Sequence, residues 1–436
     1  MSKEISNIRW EFTDKPITPW GGLRLMKEFI DRTGIREQLR ATWLPRPGSN
    51  RGYDPIAVLE SFWVCVWIGG FRFAHTAMVR FDCALQQIFG WKRVPSVSTY
   101  TRFFRKFTQQ RVDTTFNSVN RWFFGQIPPR TITLDLDSSV LTRYGTQEGC
   151  LVGYNPHKPG RPSHHPLMAF VADLRMVAHS WLRPGNAGTT NNAITFFAET
   201  REILGHHHIG LLRADAGFFD GNFLTVLEAQ ALSYIIAVRM NAVIKREIQS
   251  ITSWLRLESG IEVGEFWYRA HPWKQARRIV VVRQLVEEHL QAAGKYLFDL
   301  RDYRYQAWVT NISLAEAEVW RLYRQRADSE NRIEELKYDF GMNGFCLQEF
   351  YATEAAFRSV MLAYNLISLF RQVILKTKVQ PRLQSIRFQC FAIGSWLGKK
   401  YRRPVLKLSL PVKRRPWFEG LFAKIVEFAP PFPLET

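Results

Sequence analysis

The sequence lacks the features of membrane-spanning, secreted and nucleotide-hydrolysing proteins. Its longest apolar stretch, Ser61 to Phe71, is far shorter than the roughly 20 residues of a transmembrane helix. The N-terminal MSKEISNIRWEF contains no apolar signal region, and no P-loop or GxGxxG motif occurs. The five cysteines are scattered and form no CxxC, which is typical of reduced thiols. These absences predict a cytoplasmic protein without a nucleotide cofactor.

Acidic residues are in the minority. Asp and Glu number 39 against 59 Lys and Arg, which gives a net charge of +20 and an isoelectric point near 9.9. Such a surplus predicts a polyanionic partner, most simply nucleic acid, with an anionic membrane surface as the competing explanation. Half of the surplus lies in residues 376–436, which contain 13 Lys and Arg and 3 Asp and Glu.

The basic C-terminal residues are interleaved with aromatic ones. This mixture suits phosphate contact and base stacking, although a tail that only keeps the protein in solution has the same composition. The residues concerned are Lys399, Lys400, Tyr401, Arg402 and Arg403, the run Lys413 to Arg415, and Trp396 and Trp417.

A basic helix is predicted near the end of residues 1–128, a region whose patterning is helical. In PSVSTYTRFFRKF, either Ser96 or Ser98 can cap this helix. A capped, basic helix after a short turn is similar to the second helix of a helix-turn-helix, and also to many basic surface helices. Its basic face consists of Arg102, Arg105 and Lys106.

Two predicted strands after the boundary at Pro128 carry carboxylates. In TITLDLDSSV, Asp135 and Asp137 alternate with apolar residues and lie on one face, although Asp is depleted in strands. HHIGLLRADAGF predicts a second strand that ends at Asp215, and open α/β sheets place their sites at such ends. The alternative for Asp215 is a helix cap.

A third acidic segment is YRQRADSENRIEELK. Its Tyr323, Arg326, Glu330 and Lys337 are spaced to share one helix face within about 60°. A carboxylate can hold a divalent metal and neighbouring cations can hold phosphate; the alternative is an i,i+4 ion pair that only solvates a helix. Before this helix, β-like runs with basic flanks predict a mostly β insertion over residues 232–311.

This order of elements resembles the DDE transposases of bacterial insertion sequences, in particular the group with a Tyr-Arg-Glu-Lys signature and a β-strand insertion. The resemblance covers about residues 129–375 and is carried by LDLDSSV, LRPGN, LLRADAGF and the complete signature. PSVSTYTRFFRKF is similar to the DNA-binding region of the family, whereas no motif covers the residues after 375.

The resemblance implies an α/β, RNase H-like fold, in which a mixed sheet with flanking helices is interrupted by the mostly β insertion. A helical N-terminal DNA-binding region and a basic C-terminal tail complete the chain. The implied segments are residues 1–128 for DNA binding and dimerisation, 129–231 and 312–375 for the two parts of the catalytic domain, 232–311 for the insertion and 376–436 for the basic region.

The resemblance also implies three carboxylates that hold two Mg²⁺ ions, for which Mn²⁺ can substitute. The second carboxylate is Asp215 and the third is Glu330. The first is assigned to Asp137, because small hydroxyl residues follow the family's first aspartate as two serines follow Asp137 here. Asp135 is the alternative, since both side chains point to the same side of the strand.

Further roles follow from the same resemblance. In relatives, the Tyr, Arg and Lys of the signature contact the transposon end, which assigns DNA contacts to Tyr323, Arg326 and Lys337. Relatives cut DNA through a hairpin intermediate and hold a flipped base on an aromatic residue of the insertion. Trp308 and Trp267 are the candidates for that residue, with a core or inter-strand position as the alternative for each.

The histidines fall into two groups without the spacing of a zinc site. We expect them in loops near DNA or, for the second group, at a helix end. They are His157, His164 and His165 in the first group and His206 to His208 in the second.

The sequence therefore predicts a cytoplasmic, nucleoid-associated bacterial transposase. It would bind the terminal inverted repeats of its insertion sequence, excise the element and join it to target DNA, acting as a homodimer on double-stranded DNA and not at a membrane. A catalytically decayed DNA-binding protein and a metal-dependent nuclease without joining activity are the alternatives.

Overall fold

A nine-stranded mixed sheet forms the centre of the molecule. The structure is a computed structural model that describes residues 10–285, 303–377 and 379–434. The strands are β1 (Ile17–Thr18), β2 (Thr131–Ser138), β3 (Leu141–Thr142), β4 (Leu151–Val152), β5 (Pro162–His164), β6 (Leu167–Val171), β7 (Met176–Trp181), β8 (His208–Ala214), β9 (Tyr234–Ala237), β10 (Leu255–Glu258), β11 (Ile261–Tyr268), β12 (Arg277–Leu285), β13 (Tyr303–Thr310), β14 (Ser395–Lys400) and β15 (Arg403–Leu408).

The helices lie mainly before and after this sheet in the chain. Within the described ranges, none of them is both long and apolar enough to cross a bilayer. They are α1 (Arg24–Thr33), α2 (Ile35–Arg40), α3 (Pro55–Trp67), α4 (Thr76–Arg80), α5 (Cys83–Phe89), α6 (Val97–Phe104), α7 (Gln109–Gly125), α8 (Ala193–Leu204), α9 (Gly221–Ala229), α10 (Ala242–Gln249), α11 (Glu316–Arg324), α12 (Ala327–Tyr338), α13 (Phe350–Phe370), α14 (Leu383–Ile386) and α15 (Arg415–Glu427).

Five strands form the core of the sheet in the spatial order β7-β6-β2-β8-β9. The first three in sequence, β2, β6 and β7, pair antiparallel, whereas β8 and β9 run parallel to β2. An antiparallel meander followed by two strands parallel to its first strand is the RNase H-like order, so the predicted fold class is confirmed. Because β2 is central, its residues 134–137 are buried, including two aspartates.

The β insertion lengthens this sheet. Strands β10 to β13 pair antiparallel in sequence order, and β13 joins the core at β9. The predicted boundary at residue 232 needs correction, because Tyr234–Ala237 is the fifth core strand. Its parallel pairing with β8 is a long-range contact that a local β-like pattern does not show. Residues 286–302, which the insertion was predicted to include, lie outside the described residues.

Helix α13 holds the N-terminal helices against the sheet. It is buried along almost its whole length, as expected for a helix that is apolar all round. The indole Nε1 atoms of Trp63 and Trp67 on α3 each donate to an α13 carbonyl, of Ser359 and of Ala363, at 3.1 Å. The side chain of Asp54 caps the start of α3, and Pro55 occupies its first position.

The basic C-terminal region, predicted as a tail, is folded. Strands β14 and β15 form a hairpin that pairs with β1, and α15 packs against α1. The apolar positions Phe418, Leu421 and Ile425 on α15 are buried. Their spacing of three and four residues is that of an amphipathic helix, but the surrounding cations dominate the composition of the region.

Candidate active site

Asp137 lies near the end of the central strand β2. Its side chain is 10% exposed, and its Oδ2 accepts a hydrogen bond of 2.5 Å from Nη2 of Arg326. The pKa of Asp137 is raised to about 7, chiefly by burial; Arg326 lowers it, and the negative charges of Asp215 and Glu330 add to the rise. Asp137 and Glu330 both accept from the guanidinium of Arg326, and Asp215 follows the strand that pairs with β2, so the three carboxylates predicted from the sequence lie near one another.

Asp215 follows directly after β8, the neighbour of β2 in the sheet. Its Oδ1 accepts from the backbone N–H of Gly217 at 2.9 Å and caps a single 3₁₀ turn at Ala216–Phe218. Burial raises the pKa of Asp215, against the opposing charge of Arg326. Asp215 thus acts as a cap, which was the alternative role predicted for it, but it caps a short turn and not a helix. The next helix, α9, is capped by Asp220.

Arg326 joins the acidic groups. Its guanidinium is 3% exposed and donates through Nη1 to Oε1 of Glu330 at 2.9 Å, in addition to its bond with Asp137. The Glu330 side chain is 65% exposed. Arg326 Nε is buried and has no hydrogen-bond partner in the part of the chain that the structure describes. One buried cation therefore serves two carboxylates and retains one unsatisfied donor.

The four signature residues do not share one continuous helix, which corrects the prediction of a single helix here. Helix α11 ends at Arg324 and α12 begins at Ala327. The carbonyl of Leu322 accepts a 2.6 Å hydrogen bond from Nη1 of Arg213. The backbone N–H of Arg326 donates instead to the carbonyl of Tyr323, three residues earlier, at 2.9 Å. The break turns Arg326 towards the end of β2.

Asp135 serves a different purpose from Asp137. It is fully buried and forms a two-pronged ion pair with Arg213 on β8, with N–O distances of 2.6 and 2.8 Å. Its Oδ2 also accepts from the hydroxyl of Ser329 on α12 at 2.5 Å. Because both oxygens have partners, the structure favours Asp137 over Asp135 as the available carboxylate.

Tyr323 and Lys337 complete the constellation. The hydroxyl of Tyr323 donates to the carbonyl of Ala214 at 3.3 Å, next to Asp215. Burial raises the pKa of Tyr323 to about 12, so the hydroxyl keeps its proton at neutral pH. Burial lowers the pKa of Lys337, and the charge of Asp137 opposes that shift.

The structure brings the predicted residues together without assembling a complete metal-ligand set. In the described ranges, no three His, Cys, Asp or Glu side chains are gathered as ligands of one ion. Two of the three carboxylates, those of Asp137 and Asp215, occupy adjacent strand ends. The third, Glu330, is engaged by Arg326.

Some residues at this site were not found from the sequence. A Cβ atom at Gly217 would lie 2.7 Å from Oγ1 of Thr189 and 2.8 Å from Oδ1 of Asp215, so only glycine permits this approach. Arg239 donates to the carbonyls of Ala216 and Gly217 at 2.9 and 3.2 Å and fixes the turn after Asp215. The glycine in RADAGF was the feature of the sequence that could have indicated this close approach. Thr189 and Arg239 lie in no motif.

The other predicted DNA contacts are exposed and make no bond with the three carboxylates in the described part of the chain. Helix α6 ends at Phe104, so Arg105 and Lys106 lie in the turn that follows it. Arg105 pairs with Glu349 at 2.9 Å, and Lys106 donates to the carbonyl of Arg46 at 3.0 Å. The other cations predicted to contact DNA are also exposed; they are Arg102, Lys399, Lys400, Arg402 and Arg403.

The two candidate aromatic residues of the insertion differ in their surroundings. Trp308 on β13 is 3% exposed and its ring lies 5.2 Å from that of Tyr323. It lines a cavity of about 380 Å³, together with Trp320, Arg326 and Glu330. Trp267 is 67% exposed on β11.

The prediction of loop histidines near DNA is wrong for His164 and His165, which are buried. Their ring nitrogens bond to the carbonyls of Glu148 and Ala187 at 2.9 and 2.8 Å. The reason is that their segment folds into a small sheet of β3, β4 and β5, which loop-like composition concealed. His207 is likewise buried and bonds to a backbone carbonyl.

A further buried histidine makes stability depend on pH. His179 on β7 is completely buried, with Nε2 3.0 Å from Oε2 of Glu199, and burial lowers its pKa to about 4 from 6.5. A histidine with a depressed pKa binds a proton less readily in the folded state, so stability is lost as pH falls from 6.5 towards 4. When the pH is lowered from about 7.5 to 5, the free energy of unfolding should decrease in both proteins. The decrease should be about 2 kcal/mol smaller in His179→Gln than in the wild type.

Urea unfolding at both pH values measures this difference. The exposed His157 gives a matched control, because His157→Gln should show the same pH dependence as the wild type. An equal loss in wild type and His179→Gln would contradict the assignment.

Comparisons with known proteins show the family of the chain. The piggyBac transposase in a synaptic complex with hairpin DNA, determined by cryo-EM, aligns with a TM-score of 0.44 and 12% identity over 86% of this chain and 81% of that chain. No curated protein sequence matches the chain. The family described as transposase DDE domain group 1 matches residues 2–430. The chain therefore belongs to the group 1 family of transposase DDE domains.

Proposed function

We propose that this transposase binds the terminal inverted repeats of its insertion sequence, cuts the DNA there with divalent metal and joins the free ends to target DNA. The observation that supports it best is the meeting of Asp137, Asp215 and the Arg326–Glu330 pair beside the ends of two adjacent parallel strands. Sites of open α/β sheets lie at such strand ends.

Asp137, Asp215 and Glu330 are the residues that would hold the metal. Carboxylate oxygens are hard ligands, which Mg²⁺ prefers and Mn²⁺ also accepts. Three carboxylates near one buried guanidinium leave an excess of negative charge, and burial raises the pKa of Asp137 and of Asp215. This donor set fits a divalent cation. Two bound Mg²⁺ ions would supply activation of the attacking oxygen and stabilisation of the leaving oxygen.

The bond between Glu330 and Arg326 presents little obstacle to this role. Glu330 is 65% exposed, so water can solvate its carboxylate when it leaves Arg326, and Arg326 keeps its bond with Asp137. The carboxylate can therefore leave Arg326 at small cost. Arg326 itself is held by its buried bond to Asp137.

We propose that Tyr323, Arg326 and Lys337 hold the DNA strand next to the bond that is cut. Arg326 has an unsatisfied Nε donor, which a phosphate oxygen can take. Tyr323, whose hydroxyl reaches the carbonyl of Ala214, and Lys337, whose pKa responds to the charge of Asp137, can donate to the same strand. Cations at this position offset the repulsion between a phosphodiester and the acidic groups.

The cavity beside Tyr323 is the proposed place for a base that leaves the DNA stack. It combines the rings of Trp308 and Trp320 with the guanidinium of Arg326, which suits a planar base. Trp308 is therefore our candidate for the aromatic residue of the insertion. A hairpin intermediate is part of the same proposal, since forming it requires a sharp distortion of the DNA end.

Binding of the DNA ends away from the cut is assigned to the exposed cations of the N-terminal and C-terminal regions. Arg102, Arg105 and Lys106 lie at the end of α6 and in the turn after it. Since excision requires both ends of an element to be held together, we propose a homodimer on DNA.

The experiment is to incubate the protein with a duplex carrying the element's terminal repeat and a target plasmid, with Mg²⁺ or with EDTA. The expected products, in Mg²⁺ only, are a nicked end, a hairpin and a joined plasmid. Cutting without joining would favour a nuclease. Binding without any cut in Mg²⁺ or Mn²⁺ would favour a catalytically decayed DNA-binding protein.

A further inference from the structure

The hairpin of β14 and β15 extends beyond the sheet that anchors it. The strands pair from Ser395 and Leu408 to Lys400 and Arg403, which leaves a two-residue turn. In the described residues, β1 pairs with β14 only at Ser395 and Trp396, at the end away from the turn. The N–H of Leu397 still donates to the carbonyl of Pro16 at 3.1 Å, so the last three residues of β14 pair with β15 alone, over about 10 Å at roughly 3.3 Å per residue. Such a two-stranded ribbon adds little to the stability of a core.

The hairpin carries positive charge without acidic compensation. No Asp or Glu occurs between Glu354 and Glu419 in the sequence. Within the described ranges, none of the hairpin cations forms an ion pair with a carboxylate. These exposed cations are Lys399, Lys400, Arg402, Arg403 and Lys407.

The turn places two large side chains in an unfavourable backbone conformation. Tyr401 and Arg402 have φ angles of 51° and 66°. Positive φ at both central residues is the pattern of a type I′ turn, for which Asn-Gly is favoured. Tyr401 is 89% exposed, so packing does not explain why a tyrosine occupies this position. Strain of this kind is concentrated where a protein uses the side chains concerned.

One face of the hairpin combines an aromatic ring with cations. Trp396 pairs with Lys407 across the strands, and the Nζ of Lys407 lies 4.5 Å from the centre of its ring. Lys15 approaches the same ring at 5.8 Å. Lys400 and Arg403, which are paired next to the turn, lie on this face because side chains alternate along a strand. Cations thus continue from the anchored end to the turn.

We infer that residues 396–407 form a β-ribbon that enters the major groove of duplex DNA, with Tyr401 and Arg402 at the leading end. The major groove is about 12 Å wide and admits a two-stranded ribbon. The flanking cations would then face the two phosphate backbones, whose charge complements a face without carboxylates. An anionic membrane is the weaker partner, because the face lacks the broad apolar surface that inserts between lipids.

This inference deepens the proposed function and rests on it only in taking DNA as the partner. It concerns how DNA is held and is independent of the carboxylates that are proposed to cut it. Binding and cleavage can therefore be tested separately.

The test measures binding of the full chain to a fluorescein-labelled, mixed-sequence duplex of about 30 base pairs over a range of salt concentrations. The variant Tyr401→Asn/Arg402→Gly gives the turn its favoured residues. We expect its Tm to be unchanged or about 1–3 °C higher, its affinity to fall about tenfold, and its salt slope to shrink by about 1. Lys245→Gln, which removes an exposed cation from α10, is the control and should bind within about twofold of the wild type.

A second variant keeps the turn and removes charge from the face. Lys400→Gln/Arg403→Gln should reduce the salt slope by about 2. Methyl green, which occupies the major groove, should compete with the wild type more strongly than netropsin, which occupies the minor groove. Wild-type affinity in both hairpin variants would overturn the inference. The inference would also be overturned if the hairpin variants lost binding to phosphatidylserine vesicles but still bound DNA as the wild type does.

Failure of this inference can be told apart from failure of the proposed function. Hairpin-dependent binding by a wild-type protein that cuts no DNA in Mg²⁺ would remove the catalytic proposal and leave the ribbon. If the wild type cuts DNA in Mg²⁺ and the hairpin variants bind DNA normally, the catalytic proposal stands and the ribbon is ruled out.

Discussion

Replacing Asp137 or Asp215 with Asn should lower the rate of Mg²⁺-dependent DNA cleavage at least about 1000-fold, while binding of the DNA end changes by no more than about twofold. Each carboxylate lies at the end of a core strand, and the charge of Asp215 contributes to the raised pKa of Asp137. An amide keeps the shape and loses the charge that a divalent cation requires. Single-turnover cleavage of an end-labelled duplex, with binding measured in Ca²⁺, separates the two effects.

Two controls show whether the loss is specific. Asp220→Asn removes a carboxylate five positions from Asp215 and leaves a residue that caps helices equally well, so cleavage should persist. Undiminished cleavage by Asp137→Asn or by Asp215→Asn would remove that residue from the site.

The Asp137 variant should also be at least as stable as the wild type without metal. The pKa of Asp137 is raised by burial to about 7 from 3.8, so the folded state binds this proton more tightly than the unfolded state. Its contribution to stability is present below pH 3.8 and is lost as pH rises through about 7. Asn resembles the neutral form, and we expect a Tm at pH 8 equal to or above that of the wild type.

Replacing Asp135 with Ala should destabilise the fold by about 3–5 kcal/mol. The change leaves the guanidinium of Arg213, only 3% exposed, without its partner inside the sheet. It also removes the acceptor of the Ser329 hydroxyl, which ties α12 to β2. Urea unfolding without metal measures the loss, and the expected effect is opposite to that at Asp137, two residues away.

A double variant tests the cause. Asp135→Leu/Arg213→Met replaces both charges with apolar groups and should recover a large part of the lost stability, because the unpaired buried charge is gone. A small loss of stability in Asp135→Ala, with cleavage abolished, would instead assign Asp135 to the metal site.

The contrast between these aspartates shows what the sequence could provide. Alternation identified both as facing one side of a strand but did not decide between them. The parallel register separates their surroundings, because Asp135 is opposite Arg213 and Leu136 is opposite Ala214. The same two-residue spacing separates Arg213 from Asp215, so the pairing was present in the sequence. It becomes visible only when the two strands are aligned.

Other features depend on long-range contacts that local patterns do not contain. The break before α12 exists because Arg213 takes the carbonyl of Leu322, a contact over more than a hundred residues. The fifth core strand, Tyr234–Ala237, looked like part of the insertion because strand composition does not reveal the partner. The folded C-terminal region was obscured by its charge. Elements with strong local signals, such as β2 and β8, were predicted well.

The most direct test of the proposed chemistry is the rate of Mg²⁺-dependent nicking of a terminal-repeat duplex by the wild type and by Glu330→Gln, measured side by side. Glu330 is the most exposed of the three carboxylates and is paired with Arg326, so its role as a metal ligand depends most on the proposal. We expect site-specific nicking followed by a hairpin in the wild type, and neither product in the variant at equal DNA occupancy. Nicking at the wild-type rate by Glu330→Gln would contradict the assignment of these three carboxylates as one metal-binding site.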